Sequence, residues 1–124
     1  MPTGVVVLGH GSREAVDEAN EVLLELAGLL RKSTGLKLLE NAFMNPKSNR
    51  PGLEEAVDRV IKNGATKVIV APVFIANGMH MQKDIPAMIE RLRAKYRVEI
   101  KCAGHLGADP RIVEVIADRI KETF

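Results

Sequence analysis

The chain has 124 residues, of which 46% are hydrophobic and 27% are charged, and its net charge is +2 at pH 7. This balance is typical of one globular domain, here residues 1–124, and the low charge and scarce aromatic residues argue against nucleic-acid binding. No apolar run reaches the ~18 residues of a membrane span and no signal peptide precedes the first strand, so we expect a cytoplasmic protein without a membrane partner.

The first predicted strand, residues 4–9, is an apolar run that ends in the glycine-rich turn "GHGSR". Ser12 suits the N-cap of a first helix over about residues 13–32. A glycine-rich turn between a strand and a helix can bind phosphate, but neither the dinucleotide pattern nor the P-loop pattern is present. His10, between the two glycines, is therefore either a structural histidine or part of a ligand site.

The second predicted strand, residues 36–43, leads into the loop "NPKSNRPG". The prolines and polar residues predict a mobile loop. Basic side chains here and nearby would either be solvated or form a rim that attracts an anion: Arg13, Lys47, Arg50 and Lys83. The second helix, residues 53–63, has the clearest apolar periodicity, and "NG" ends it at a left-handed cap.

The third predicted strand, residues 67–74, is a second near-continuous apolar run and precedes "IANGMHMQKDIP". An asparagine–glycine pair indicates a turn, and His80 follows it between two methionines. Asp84 suits the N-cap of a third helix over residues 84–96. Taken alone, His80 also fits a surface histidine on a flexible loop.

The fourth predicted strand, residues 98–102, contains Cys102, the only cysteine, which we expect to be a buried, inert thiol. In the following "CAGHLGADP", His105 fits a loop histidine at the sheet edge better than a ligand. Asp109 is predicted as the N-cap of the last helix, with Pro110 in its first turn.

The alternation of strands and helices predicts an α/β, flavodoxin-like three-layer sandwich. The four-stranded parallel sheet is expected in the order 2-1-3-4, with helices on both faces. The first and third strands then lie side by side at the topological switch point, where ligands bind beyond the carboxyl ends of the strands. His10 and His80 follow these two strands, so we expect them to share one crevice.

Two imidazoles at one crevice suit a divalent metal or proton transfer near neutral pH. Imidazole binds cobalt, nickel, iron and zinc, and its neutral form accepts protons. Two protein ligands leave coordination positions open, so such a site holds a metal loosely enough to pass it on. Nearby methionines either line an apolar wall or fill the core: Met44, Met79 and Met81.

These residues resemble the short CbiX-type sirohydrochlorin chelatases, which belong to the class II chelatases. "LGHGSR" and "APVFIANGMHMQKDIP" are similar to the two histidine motifs of the family. "GLEEAV", "GATKVIVAPVF" and "LGADPRIVEVIADRI" are similar to its other segments, so the resemblance covers essentially the whole chain. It implies a lyase that inserts cobalt, iron or nickel into sirohydrochlorin without ATP, for cobalamin or siroheme biosynthesis. No cofactor would be permanently bound.

The resemblance also implies site residues and a partner. His10 and His80 would be catalytic: they would bind the metal and accept the pyrrole protons. The residues expected to bind the tetrapyrrole substrate are Ser12, Arg13, Met44, Asn45, Phe74, Asn77 and Gly78. A homodimer is implied because longer relatives carry two such domains in one chain.

One position departs from the family pattern, in which a glutamate often follows the second strand. Here the segment reads Phe43, Met44, Asn45. Asn45 cannot ionise, so it can neither relay a proton nor offer negative charge to a metal. Glu40 lies too far down a regular strand to replace the glutamate. A non-catalytic metal or tetrapyrrole carrier is therefore an alternative function, and histidine-dependent phosphoryl transfer is a more remote one.

Overall fold

The computed structural model describes residues 2–124, apart from the side chain of His80. Within that part of the chain, four parallel strands form one sheet in the order β2-β1-β3-β4. The strands are β1 Thr3–Gly9, β2 Leu39–Phe43, β3 Lys67–Pro72 and β4 Glu99–Cys102. The helices are α1 Glu18–Thr34, α2 Leu53–Lys62, α3 Ile85–Tyr96 and α4 Pro110–Lys121. The predicted fold class and sheet order are confirmed.

The first helix begins later than the sequence suggested. Residues 14–16 form a 3₁₀ turn, and α1 starts only at Glu18. Ser12 is therefore not an N-cap, and its backbone N–H donates instead to the side chain of Asn20. At the other end, Gly35 has a φ of 73°, which ends α1 with a left-handed cap and delays β2 until Leu39.

The core lies on both faces of the sheet. One face is covered by α2 and α3, and the other by α1, as right-handed crossovers in this strand order require. The buried face of α2 consists of Leu53, Ala56, Val57 and Val60, at the spacing of one helical stripe. On the opposite face α1 buries Leu23 and Ala27.

The C-terminal part of the chain is much less buried. No residue of α4 is buried, and four of its apolar side chains are exposed: Val113, Val115, Ile116 and Ile120. Cys102 is also exposed, so the prediction of a buried thiol is wrong. The physical reason is its place near the end of β4, which is the edge strand of the sheet. None of the helices described here combines the length and apolar character that a bilayer crossing requires.

Candidate active site at the carboxyl ends of the strands

A tight turn holds His10 at the carboxyl end of β1. The His10 carbonyl accepts the N–H of Asn45 at 2.8 Å, which continues the pairing of β1 and β2 beyond both strands. Gly11 has a φ of 91°, and a Cβ added there would lie 3.1 Å from the Cβ of Phe43. The turn therefore requires glycine at position 11. The side chain of His10, in the same turn, is exposed.

Asn20, in the first turn of α1, holds the other side of this turn. Its side chain is only 1% exposed. Its Oδ1 accepts the N–H of Ser12 at 2.8 Å, and its Nδ2 donates to the Ser12 carbonyl at 3.0 Å and to Asp17 at 2.6 Å. Because both main-chain groups of Ser12 are paired, the histidine turn is fixed against α1. Asn20 is not among the residues predicted from the sequence, where its only signal is a polar residue on the buried side of an amphipathic helix.

Arg50 ties the loop after β2 to the same helix. Its Nε donates to Asp17 at 3.0 Å, one terminal nitrogen donates to the second Asp17 oxygen, and that nitrogen also donates to Glu21 at 2.7 Å. The Arg50 hydrogen bonds, followed by that from Asn20, lower the pKa of Asp17 to about 2. Since two carboxylates neutralise Arg50, its predicted place in a basic rim is wrong.

An open cavity of about 570 Å³ lies beside His10. The loop after β2 contributes Met44 and Asn45 to its lining, and the start of α3 contributes Asp84 and Met88. The structure therefore brings three predicted site residues together: His10, Met44 and Asn45. Asp84 makes no capping hydrogen bond, so its predicted role as N-cap is wrong, and it lines the cavity instead.

The second predicted histidine begins a π-helical turn, His80–Asp84, that leads directly into α3. Such turns are frequent at functional sites. Gln82 stabilises the entry to this turn: its N–H donates to the Gly78 carbonyl at 3.0 Å and its Nε2 to the Asn77 carbonyl at 2.7 Å. The side chain of His80 lies outside the described part of the structure, so its convergence with the His10 ring stays a prediction.

The other predicted substrate-binding residues do not line this cavity. Ser12 lines a smaller cavity of about 240 Å³ that His10 also lines, and Arg13 is exposed in the same turn. Phe74 packs against the core beneath α2 and α3. Asn77 and Gly78 are exposed in the segment before the π-helical turn.

The described side chains include no group of three His, Cys, Asp or Glu residues that could hold a metal ion. His10 and Asp84 do line one cavity and offer an imidazole nitrogen and carboxylate oxygens, both of which bind divalent first-row metals. His105 lies half-buried in the loop after β4 and lines neither cavity beside His10. This agrees with its interpretation as a loop histidine.

The family profile named CbiX matches residues 4–123. A sirohydrochlorin cobaltochelatase from Sulfurisphaera tokodaii is 34% identical over 121 residues, which cover 98% of this chain and 93% of the relative. Another sirohydrochlorin cobaltochelatase, from Methanothermobacter thermautotrophicus, is 35% identical over 137 residues. This match covers 98% of this chain and 92% of the relative.

Among solved structures, the sirohydrochlorin chelatase SirB from Bacillus subtilis subspecies spizizenii, in complex with cobalt, has a TM-score of 0.88 and 25% identity to this chain. The match covers 98% of this chain but 51% of SirB. The chain therefore spans about half the length of that relative.

Proposed function

The chain belongs to the CbiX family, and from that premise we propose that it is a sirohydrochlorin metal chelatase, a lyase of tetrapyrrole biosynthesis that inserts a divalent metal into the macrocycle. The single observation that carries this proposal is the match to cobaltochelatases over nearly the full length of both chains. The geometry supports it, because His10 stands beside an open cavity at the switch point of the sheet.

In this proposal His10 first binds the metal, which is a substrate, and then accepts a proton. Its Nδ1 lies 3.3 Å from the Gly11 carbonyl oxygen. With its proton on Nδ1, toward that carbonyl, the imidazole is proposed to bind the metal through Nε2. One lone pair cannot hold a metal and a proton together. The imidazole therefore becomes a base as the metal moves to the ring nitrogens of the tetrapyrrole.

His80 is proposed to perform the same two tasks on the second proton. Metal insertion displaces two pyrrole protons for one divalent ion, so charge and protons balance when each imidazole accepts one. The metal leaves the protein because four ring nitrogens hold it better than two imidazoles. The protein needs no permanently bound cofactor for this sequence of steps.

Asp84 is proposed to supply the negative charge that Asn45 lacks. Both residues line the cavity beside His10. A carboxylate there attracts the divalent ion and stabilises an imidazolium after proton transfer. Asn45 has a structural task instead: its Oδ1 accepts the N–H of Lys47 at 3.0 Å and its Nδ2 donates to the Gly11 carbonyl at 3.3 Å.

The macrocycle is proposed to lie over the thioethers of Met44 and Met88, with its carboxylates toward the exposed cations Arg13, Lys47 and Lys83. Contacts from Ser12, Phe74, Asn77 and Gly78 stay predictions of the resemblance.

Cobalt is the proposed metal because the relatives with full-length matches are named cobaltochelatases, and iron and nickel are the alternatives. A homodimer is proposed because SirB, twice as long, superposes on this chain over one half. A cytoplasmic location stays a prediction of the sequence.

The test follows absorbance after mixing the protein with sirohydrochlorin and Co²⁺. We expect wild type to exceed the uncatalysed rate, and His10→Ala to be roughly 10²–10⁴-fold slower, the usual contribution of a catalytic acid or base. His105→Ala is the matched control and should keep the rate. Equal rates for His10→Ala and wild type would remove His10 from the mechanism. Binding of sirohydrochlorin by wild type without any acceleration would instead indicate a carrier.

A further inference from the structure

The loop after β2, residues 44–52, holds the His10 turn directly on one side, and we call this segment the β2 loop. The N–H of Asn45 donates to the His10 carbonyl at 2.8 Å, and its Nδ2 donates to the Gly11 carbonyl at 3.3 Å. The Asn45 Oδ1 also accepts the N–H of Lys47 at 3.0 Å, which fixes the amide within the loop. The backbone of His10 is thus hydrogen-bonded to the beginning of the β2 loop.

The other end of the β2 loop reaches the same turn through the start of α1. Arg50 Nε and Asn20 Nδ2 donate to one oxygen of Asp17, Oδ1, at 3.0 and 2.6 Å. Asn20 in turn pairs with both main-chain groups of Ser12, at 2.8 and 3.0 Å. An unbroken series of hydrogen bonds therefore connects the Arg50 guanidinium to the backbone two residues after His10. Asp17 is the central link of this series, because its carboxylate receives both side chains.

The Arg50 side chain is itself held by several contacts. A terminal nitrogen donates to the second oxygen of Asp17 and, at 2.7 Å, to Glu21, so the guanidinium bridges two carboxylates. Its central carbon lies 5.9 Å from the centre of the Phe43 ring, which is a cation–π contact. The side chain is only 23% exposed. Arginine provides this planar fork, with its bonds to carboxylates and its aromatic contact, and lysine does not.

Arg50 is connected to the candidate site without facing it. It is not among the described residues that line the cavity of about 570 Å³ beside His10, and it lines instead a cavity of about 520 Å³ together with Arg59. Two carboxylates balance its charge, so it offers little attraction to an anionic macrocycle. We therefore expect Arg50 to act on the reaction through its hydrogen bonds to the His10 turn.

We infer that Arg50 is a positioning residue for His10. It acts through Asp17 and Asn20, whose hydrogen bonds keep the turn in the arrangement that places the His10 side chain in the lining of the cavity. Because Asn45 and Arg50 belong to one loop, the turn is held from both ends of the β2 loop. A misplacement of about 1 Å at a reacting group can cost about 10²-fold in rate. The inference rests on the proposed chelatase function and adds a residue that contacts neither the metal nor the macrocycle.

The test measures kcat and KM for Co²⁺ insertion into sirohydrochlorin by wild type and by Arg50→Met. We expect kcat to fall roughly ten- to a hundredfold, because the His10 turn is no longer fixed, while KM for the macrocycle stays at the wild-type value. Arg59→Met is the matched control, since Arg59 also bridges two carboxylates, Glu40 at 3.4 Å and Glu55 at 3.1 Å. Arg59 lines the same cavity as Arg50, and its substitution should keep both constants.

A double-mutant cycle identifies the route of this effect. Asn20→Ala removes the link between Asp17 and the turn, so adding Arg50→Met to it should lower kcat no further, whereas independent roles would multiply the two losses. Rates are compared at a temperature where circular dichroism shows every variant folded, so that lost stability does not enter kcat. If Arg50→Met does not fold there, Arg50→Lys replaces it. The ammonium keeps the charge but not the fork to Asp17, so kcat should still fall.

Three results would overturn the positioning role. They are a kcat of the Arg50 variant equal to that of Arg59→Met, a raised KM at unchanged kcat, and losses that multiply in the cycle. The second result would mean that Arg50 binds the macrocycle. With an active wild type, each of these results rejects only the positioning role. A wild type that does not accelerate insertion rejects the chelatase function and, with it, the role of Arg50.

Discussion

Asn20 supports the histidine turn from within α1, and its loss should disturb both stability and catalysis. Asn20→Ala leaves both main-chain groups of Ser12 without their buried partner, which we expect to lower the free energy of unfolding by about 1–3 kcal/mol. Urea denaturation measures this loss. The chelation rate should fall as well, because the backbone beside His10 is no longer fixed.

The matched control for Asn20 is Glu18→Ala, an exposed position in the same turn of α1. It should change neither the free energy of unfolding nor the rate. If Asn20→Ala were as stable and as active as this control, the hydrogen bonds of Asn20 would have no role in positioning the turn.

The lowered pKa of Asp17 predicts how the stability of the protein depends on pH. Its pKa is lowered from 3.8 to about 2 in the folded protein, chiefly by the Arg50 hydrogen bonds. A lowered folded-state pKa means that its stabilisation is complete above the unfolded value and is lost as the pH falls toward about 2. Asp17→Asn should therefore destabilise the protein near neutral pH, and the difference from wild type should shrink between pH about 4 and about 2.

Urea denaturation at several pH values measures this difference. Glu18→Gln, which removes a nearby exposed carboxylate, is the control and should show no such narrowing. A difference between wild type and Asp17→Asn that stays constant with pH would mean that the ion pair with Arg50 does not form in solution.

At the scale of elements, the packing of α2 on β1 depends on a glycine. A Cβ on Gly4 would lie 2.8 Å from the Cβ of Val60 and 3.0 Å from that of Ala65. Gly4→Ala should therefore separate β1 from α2 and cost about 1–3 kcal/mol of stability, as overpacking usually does. Thermal and urea denaturation measure it.

Gly28→Ala is the matched substitution in α1. No heavy atom lies within 4 Å of the Cβ that it would add. Alanine in a helix interior is more favourable than glycine, so we expect a gain of roughly 0.5–1 kcal/mol. The two substitutions should thus change the free energy of unfolding in opposite directions. A similar loss of stability for both would contradict the packing of α2 on β1.

At the scale of the whole molecule, the proposed homodimer predicts that stability depends on protein concentration. If folded chains are dimers and unfolded chains are single, each tenfold rise in chain concentration should add about 1.4 kcal/mol to the free energy of unfolding per dimer. The thermal midpoint of wild type should rise accordingly. A wild-type midpoint that is constant over a wide concentration range would indicate a monomer.

The sequence by itself determined the elements, the order of the strands and the place of His10. These follow from local rules: apolar runs for buried strands, a 3.6-residue stripe for α2, and the fixed hand of parallel crossovers, which together put the end of β1 at the switch point. The family motifs lie in the same segments, so the sequence also predicted the function. The position of the His80 ring next to His10 remains a prediction from these rules.

Only the tertiary structure decided which side chains meet. Arg50 and Asp17 are 33 residues apart, and no local pattern states that the loop after β2 reaches the start of α1. Asp84 reaches the cavity rather than capping α3 because a π-helical turn precedes that helix. Asp109 and Pro110 predicted where α4 begins, but whether its apolar side chains are covered depends on where the chain leaves the sheet. Such contacts depend on the relative positions of elements in space, which hydrophobic patterns and turn residues along one chain do not specify.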